Sequence, residues 1–512
     1  MALLNPVSTA RPVPATPPQR PAPDRAPDAL PGAALAVLLL GFSLSVTDFF
    51  IVNVALPAIG RDFRTSDTML ELVVAAYGIS YAVLLVLGGR LGDAVGRRRL
   101  FTGGMAAFTI TSLACALAPG MGVLLAARAC QGASAALMVP QVLATIQART
   151  DGAARARAVG LYGATAGLSM VAGQLLGGTI TWADAFGTGW RGIFLVNVPL
   201  GIIGLVVAHR AMPDSRSGLP ARIDVRGTVV LAATLLALLI PLTEGKALGW
   251  PAWSWILLGC VPAGAALFAW IERAHERRGE QPLVPPSLLA HPSMRTGLAL
   301  AAPFFASFGG FMFLYAVVTQ GFLGLGALAA GATLAPLAGA FCLASLVTPR
   351  AVARWGRDVI SVGAAAQAAG YAGLLAAVAA DWPHLPLLAV TPALVVAGFG
   401  QGLVVSPLLR TILSDVPAER AGAGAGVLAT TQQTSLALGV AVVGSLFSAL
   451  VPQTGVKVAA MAVIALVITT ASFVAAGSRR LPSPRTAAGR VEAGETVPSL
   501  TRTYASRPAA DI

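Results

Sequence analysis

The sequence predicts an all-α membrane protein with 14 transmembrane helices arranged as 6 + 2 + 6. Three observations carry this. The 512 residues are 56% hydrophobic and only 11% charged, with a mean hydropathy of +0.76; a soluble chain carries about a quarter charged residues. Fourteen apolar segments of about 20 residues, the length that crosses a hydrocarbon core, follow one another along the chain. Finally, arginines crowd alternate connections between those segments, which is a signal of topology.

The segments fall at about residues 33–57, 70–91, 100–118, 122–146, 156–180, 191–210, 225–244, 253–272, 296–320, 325–347, 358–379, 387–414, 422–449 and 456–477. One set of connections carries Arg97, Arg98 and Arg99; Arg149, Arg155 and Arg157; Arg210, Arg216, Arg222 and Arg226; Arg273, Arg277 and Arg278; Arg350, Arg354 and Arg357; and Arg420. The alternate set carries only Arg61, Arg64, Arg191, Lys246 and Lys457. Positive loops stay inside, so both termini are expected in the cytoplasm, with an even number of crossings. Residues 1–30, rich in Pro, Ala and Arg, and residues 479–512 read as disordered cytoplasmic tails.

An internal echo divides the rest. Arg90-x5-Gly96-Arg97 follows the second segment and Arg350-x5-Gly356-Arg357 the tenth. Gln131-Gly132 in the fourth is matched by Gln401-Gly402 in the twelfth, each with a proline downstream, Pro140 and Pro407. An offset of eight helices gives two six-helix bundles, 31–210 and 295–478, with two inserted helices in 211–294. Parallel repeats of this kind place a central site at their interface.

The net charge of +13 is spread over short loops, so it marks topology rather than a nucleic-acid surface. Cys115, Cys130, Cys260 and Cys342 lie inside apolar runs, with spacings that suit neither zinc nor a disulfide framework, and read as small packed side chains. His209, His275, His291 and His384 stand in or near loops. There is no H-E-x-x-H, no phosphate-binding P-loop and no soluble domain large enough for ATP. No enzyme, cofactor or metal site is expected. The expected partners are the bilayer, a small molecule and protons, for a chain acting as a monomer.

Two charges lie at membrane depth, where they are costly and usually functional. Asp48 stands in the first segment, about nine residues from its outer end, and Arg128 about six residues from the outer start of the fourth. At about 1.5 Å per residue both sit roughly 9–14 Å below the outer surface, within reach of each other or of a shared substrate or water. The blander readings are a structural hydrogen bond for Asp48 and snorkelling for Arg128.

Between the second and third segments, Gly89, Asp93, Gly96, Arg97 and Arg98 form a basic turn. Asp93 can cap a helix start and pair with Arg97 or Arg98, and the glycines allow tight turns. Gly163, Gly167, Gly173, Gly177 and Gly178 line the fifth segment, where such spacing lets backbones approach. Trp190 opens the sixth segment as an interfacial anchor. Tyr77, Gln131, Gln320 and Gln433 are candidates for a substrate cavity, with Tyr315, Thr430, Thr431, Gln432 and Thr434 also interrupting apolar helices. Phe304, Phe305 and Phe311 offer an aromatic wall or ordinary core.

These motifs resemble those of the major facilitator superfamily and, within it, of the fourteen-helix drug:proton antiporters, over about residues 33–477. Gly89 to Arg98 resembles the superfamily's loop G-x-L-x-D-x-x-G-R-R. Residues 48–57 resemble the first-helix signature D-x-x-I-V-N-V-A-L-P, with Thr47 replacing the usual apolar residue before the acid. Arg128, Gln131 and Gly132 resemble R-x-x-Q-G. The fifth segment resembles the exporters' G-x-x-x-G-P-x-x-G-G, with Gln174 where proline is usual. Residues 190–201 resemble W-R-x-x-F-x-x-N-x-P-x-G.

The resemblance implies the major facilitator fold and alternating access, with Asp48 and Arg128 coupling protons to export of amphipathic or lipophilic compounds. It makes the 89–98 loop a latch between the halves. Proton-linked metabolite uptake and a non-transporting sensor on the same fold stand as alternatives. The Arg-rich, Lys-poor composition points to a GC-rich bacterial genome and a bacterial plasma membrane.

Overall fold

In a computed structural model the chain is almost wholly helical. The structure describes residues 30–184, 187–213, 224–245, 248–280, 282–356, 358–417 and 420–481. The two tails therefore lie outside the described residues except at their inner edges, as do Arg216, Arg222, Lys246 and Arg357 from the loop-charge pattern.

The long helices are α1 (Gly32–Phe63), α2 (Asp67–Val95), α3 (Arg97–Ala116), α4 (Met121–Arg149) and α5 (Gly152–Ala183). The span α6 (Gly189–Ala211) follows. Next come α7 (Val225–Glu244) and α8 (Ala252–Arg277). The span α9 (Pro292–Phe322) ends in a π-helical stretch, Val317–Phe322. After it stand α10 (Ala335–Trp355), α11 (Asp358–Asp381), α12 (Leu387–Ile412) and α13 (Ala421–Gly477).

Among the described residues, twelve helices are long and apolar enough to cross a membrane. That count departs from the expected fourteen at two places. The 20-residue α3 is not among the twelve; its first turn is Arg97-Arg98-Arg99, which lowers its hydropathy. The 57 residues of α13 are taken as one, yet their backbone leaves the helical region at Gly455 (φ 80°, ψ 165°), three residues after Pro452. A straight helix of that length would run about 85 Å, nearly three hydrocarbon thicknesses.

Helices α1 to α6 pack chiefly on one another, α9 to α13 on one another, and α7 on α8. The first and last groups meet where α2 lies along α13 and α5 along α10. Their cores show at which end they are joined. One apolar cluster draws on both groups, with Leu38, Phe101 and Met138 from one and Leu408, Ile412 and Leu428 from the other. It lies at the end bearing Arg97. At the opposite end the cores are separate: Ile51, Ile59, Leu124 and Phe194 in the first group, Phe311, Tyr371, Val443 and Ile464 in the second. The apolar cores of the two groups are therefore continuous at the Arg-rich end and separate towards the other, where α5 still meets the short helix Ala327–Thr333.

The glycine-rich α5 runs along this junction. A methyl group on Gly163 would lie 2.8 Å from Ser406 Oγ and 3.3 Å from Ser345 Oγ, and one on Gly167 would lie 2.5 Å from the Phe341 ring. Further along, Gly173 abuts the backbone of α1 at Thr47 and Ile51. Small residues thus bring α5 close both to its own group and to the other. Gly177 is buried and Gly178 half-buried, while the side chain of Gln174 lies outside the described residues.

The cysteines do not behave uniformly. Cys115 is buried, but Cys130 and Cys260 are exposed on their helix surfaces and Cys342 is intermediate. An apolar run in a membrane chain need not face inward, because lipid solvates its outer face.

Candidate functional site

Five helices of the first group converge on Asp48. Its carboxylate, fully buried in α1, accepts three hydrogen bonds. Arg128 Nη1 of α4 donates to Oδ2 at 2.5 Å. Gln131 Nε2, one turn along α4, donates to Oδ1 at 2.9 Å. Asn197 Nδ2 of α6 donates to the same oxygen at 2.8 Å. Ser112 Oγ of α3 accepts from Gln131 Nε2 at 2.8 Å, and Arg128 Nη1 also reaches Gln131 Oε1 at 2.7 Å.

The guanidinium is held on its other sides by α2. Arg128 Nε donates to Val73 O at 3.1 Å, and the ring of Tyr77 lies 4.5 Å from its central carbon, close enough for a cation–π contact. Tyr77 is anchored in turn, donating its hydroxyl to Ser45 O at 3.0 Å. Arg128 Nη2 is buried and meets no acceptor among the described residues.

This arrangement follows from local sequence. The three-residue spacing puts Arg128 and Gln131 on one face of α4. Gly132 allows the close approach to α2, since a Cβ there would lie 2.2 Å from Tyr77 O. All three side chains facing Asp48 are donors, matching an ionised carboxylate, which only accepts. In a dry interior such a pair persists because its geometry and extra hydrogen bonds offset the desolvation of both charges.

The second cluster of charge lies at the joined end. Asp93, buried near the end of α2, pairs with Arg97 at 2.9 Å. Its Oδ1 and Oδ2 accept the N–H groups of Gly422 and Ala423, each at 3.0 Å, and so cap α13 in the other group. Gly89 lies against the same turn: a Cβ there would sit 2.1 Å from Gly422 O. Gly96 adopts φ 112°, which favours glycine. Arg98 donates to the backbone of His209 rather than to Asp93. Nearby, Gln147 Nε2 donates to Leu413 O at 2.7 Å, a further bond across the junction.

Other candidates are placed differently. Tyr77 and Gln131 belong to the Asp48 network, not to an open cleft. Gln320 is exposed on the π-helical turn and Gln433 is half-buried in α13. Tyr315 donates to Thr333 Oγ1 at 2.6 Å beside a mostly apolar cavity that Phe311, Leu374 and Ile464 also line. Phe304 and Phe305 are core. Trp190 is buried, donating Nε1 to Asp62 Oδ2 at 2.9 Å. That bond and the Arg191 pair hold the Asp62 carboxyl below the usual carboxylate range.

Asn197 and Ser112 are functional candidates that sequence reasoning left out. Asn197 lay in plain view within the 190–201 motif, as a polar residue inside an apolar run. Ser112 gave no such signal.

Comparison with known proteins gives concordant results. The family description "Major Facilitator Superfamily" matches residues 38–440. The chain is 36% identical over 419 residues to the probable actinorhodin transporter of Streptomyces coelicolor, covering 81% of this chain and 72% of that one. It is 35% identical to puromycin resistance protein pur8 of Streptomyces alboniger, covering 80% of each. It is 31% identical to multidrug resistance protein Stp of Mycobacterium tuberculosis, covering 80% and 74%. Among solved structures, the human organic anion transporter MFSD10 aligns with a TM-score of 0.62 at 15% identity, over 86% of this chain and 99% of that one. The proton:xylose symporter XylE aligns with a TM-score of 0.61 at 15% identity, over 88% and 96%; at that identity the likeness concerns the fold.

Proposed function

Because this chain belongs to the major facilitator superfamily, a family of membrane transporters and not enzymes, we propose that it is a proton-coupled exporter of small amphipathic or lipophilic compounds, antibiotics among them. The observation that carries the coupling is the buried Asp48–Arg128 pair. The direction and the substrate class rest on relatives named for antibiotic transport and drug resistance.

In this reading the Arg-rich end is cytoplasmic and the conformation, joined at that end, faces outward. A proton arriving at Asp48 from outside turns one accepting oxygen into a donor among donors. The bond to Arg128 is lost and the α1–α4 contact loosens. Opening then requires release of the Asp93 cap on α13, so the 89–98 loop acts as the latch. Glycines of α5 let it slide against α10. Each proton moving inward through 100 mV supplies about 2.3 kcal/mol, which limits the accumulation one proton drives.

The same reading takes α3 as one crossing and α13 as two that turn at Gly455. Support comes from Val474, which returns to the cluster that holds Ala421. Fourteen crossings then form six-helix bundles over 31–210 and 295–478, with two helices inserted in 211–294, in a monomer of a bacterial plasma membrane with both termini inside.

The test is efflux of ethidium and puromycin from energised, pump-deficient bacteria carrying the wild type or Asp48→Asn, with and without a protonophore. Efflux by the wild type, abolished by both treatments, is expected. Efflux that survives Asp48→Asn with the protonophore still effective would remove Asp48 from the coupling role.

A further inference from the structure

Away from Asp48, a second group of titratable side chains is built where the inserted helices meet the joined end. Asp224 caps α7, its Oδ1 accepting from Gly227 N at 2.8 Å. Its Oδ2 lies 2.7 Å from Nδ1 of His275 near the end of α8. One turn earlier on α8 stands Glu272, only 2% exposed. Glu272 Oε2 accepts from Val284 N at 2.7 Å. Glu272 Oε1 is buried and meets no donor.

That oxygen faces the other acid. A Cβ built on Gly227 would lie 2.4 Å from Asp224 Oδ2 and 2.5 Å from Glu272 Oε1, so the two oxygens flank one point, and each carboxyl group acts on the other. Two carboxylates so placed cannot both be charged without strong repulsion, whereas one shared proton makes the contact a hydrogen bond. Arg90 of α2 favours the charged form of Glu272, against the larger effect of burial, and Arg420 at the start of α13 faces Arg90. Glu280 lies 3.6 Å from His275 Nε2, and Glu276 accepts from Ser287 N at 3.3 Å.

We propose that Asp224 and Glu272 hold a single proton between them, forming a second proton-binding site that fastens the inserted helices to the joined end of the molecule. Glu272 Oε1–H donates to Asp224 Oδ2, and Glu272 Oε2 holds the backbone of Val284. Leu283 and Val284 pack into the apolar cluster shared by both bundles, so the acid pair secures the connection between α8 and α9 to that core. Loss of the proton sets two carboxylates against each other and frees this connection.

The experiment is infrared spectroscopy of the full chain in lipid nanodiscs at pH 7, with wild type, Glu272→Gln, Asp224→Asn and Asp48→Asn compared. None of these spectra depends on transport, so the result is independent of the proposed export. The wild type is expected to show the carbonyl band of a protonated carboxylic acid, shifted in deuterium oxide. Glu272→Gln should lose that band and Asp48→Asn should keep it. Should Glu272→Gln fail to fold, Asp224→Asn serves instead: its amide can donate to an ionised Glu272, and the band should again be lost. A band that persists in Glu272→Gln, or in Asp224→Asn, would overturn the shared proton.

Discussion

The two bundles place a glutamine at matching points of matching helices, and the surroundings of those glutamines differ in kind. In α4, Gln131 lies between a carboxylate and a guanidinium, donating to Asp48 and accepting from Arg128. In α12, Gln401 donates to the hydroxyl of Tyr371 at 3.0 Å, a neutral contact in an equally dry interior. Among the described residues of α9 to α13, the charged side chains stand near helix ends, Arg295, Arg350, Arg354, Asp358, Asp381 and Arg410, or beside the Gly455 break within α13, Lys457. Both glutamines therefore occupy buried packing positions, while only Gln131 adjoins charged groups. Among the described residues, the fully buried ion pair lies in the first group.

The largest effect is expected from Asp48→Asn. It leaves Arg128 buried without its counter-charge, a loss of about 3–5 kcal/mol of stability together with proton-driven transport. Thermal unfolding in nanodiscs measures the first and the efflux assay the second. The double variant Asp48→Asn/Arg128→Gln should recover stability without transport, which would separate the two roles.

The comparison is sharpened by replacing each glutamine with leucine. Gln131→Leu removes hydrogen bonds to charged groups and should cost about 1.5–3 kcal/mol, and Gln401→Leu removes a neutral one and should cost about 0.5–1.5 kcal/mol. Only the first should change the pH dependence of transport. Equal effects on that pH dependence would end the proposed asymmetry.

Where the bundles touch, Gly89→Ala adds a methyl group 2.1 Å from Gly422 O. Overpacking of this sort costs about 1–3 kcal/mol. Because the strain exists only while the ends are joined, it should favour the state with those ends apart, by about tenfold for each 1.4 kcal/mol. Distances between spin labels on the loops after α2 and α12 report that shift. Smallest of all, Tyr371→Phe should cost about 1 kcal/mol or less by thermal unfolding, with transport intact.

Much of this was legible before any coordinates. Asp48 and Arg128 stood out because a charge inside an apolar run is conspicuous, and helix rise alone placed them at one depth. Asn197 was visible as a letter but not as a partner, since nothing local says that α6 turns that face towards α1. Ser112 was invisible, because a serine in a membrane helix more often bonds its own backbone. Asp93 shows what the sequence leaves open. Its sequence neighbours offered a helix start to cap, yet its oxygens cap a helix 329 residues away.

By itself the sequence determined the helical class, the family motifs, the depth of the charged pair and which connections carry arginine. Each follows from the cost of placing a polar group in hydrocarbon, and that cost is paid residue by residue along the chain. The tertiary structure alone decided which end of the two bundles is joined, which helix Asp93 caps, that Asn197 completes the shell of Asp48, and that Asp224 meets Glu272. Those depend on how helices rotate and lean together. Many rotations bury the same apolar stripes, and close packing of side chains and glycines selects among them.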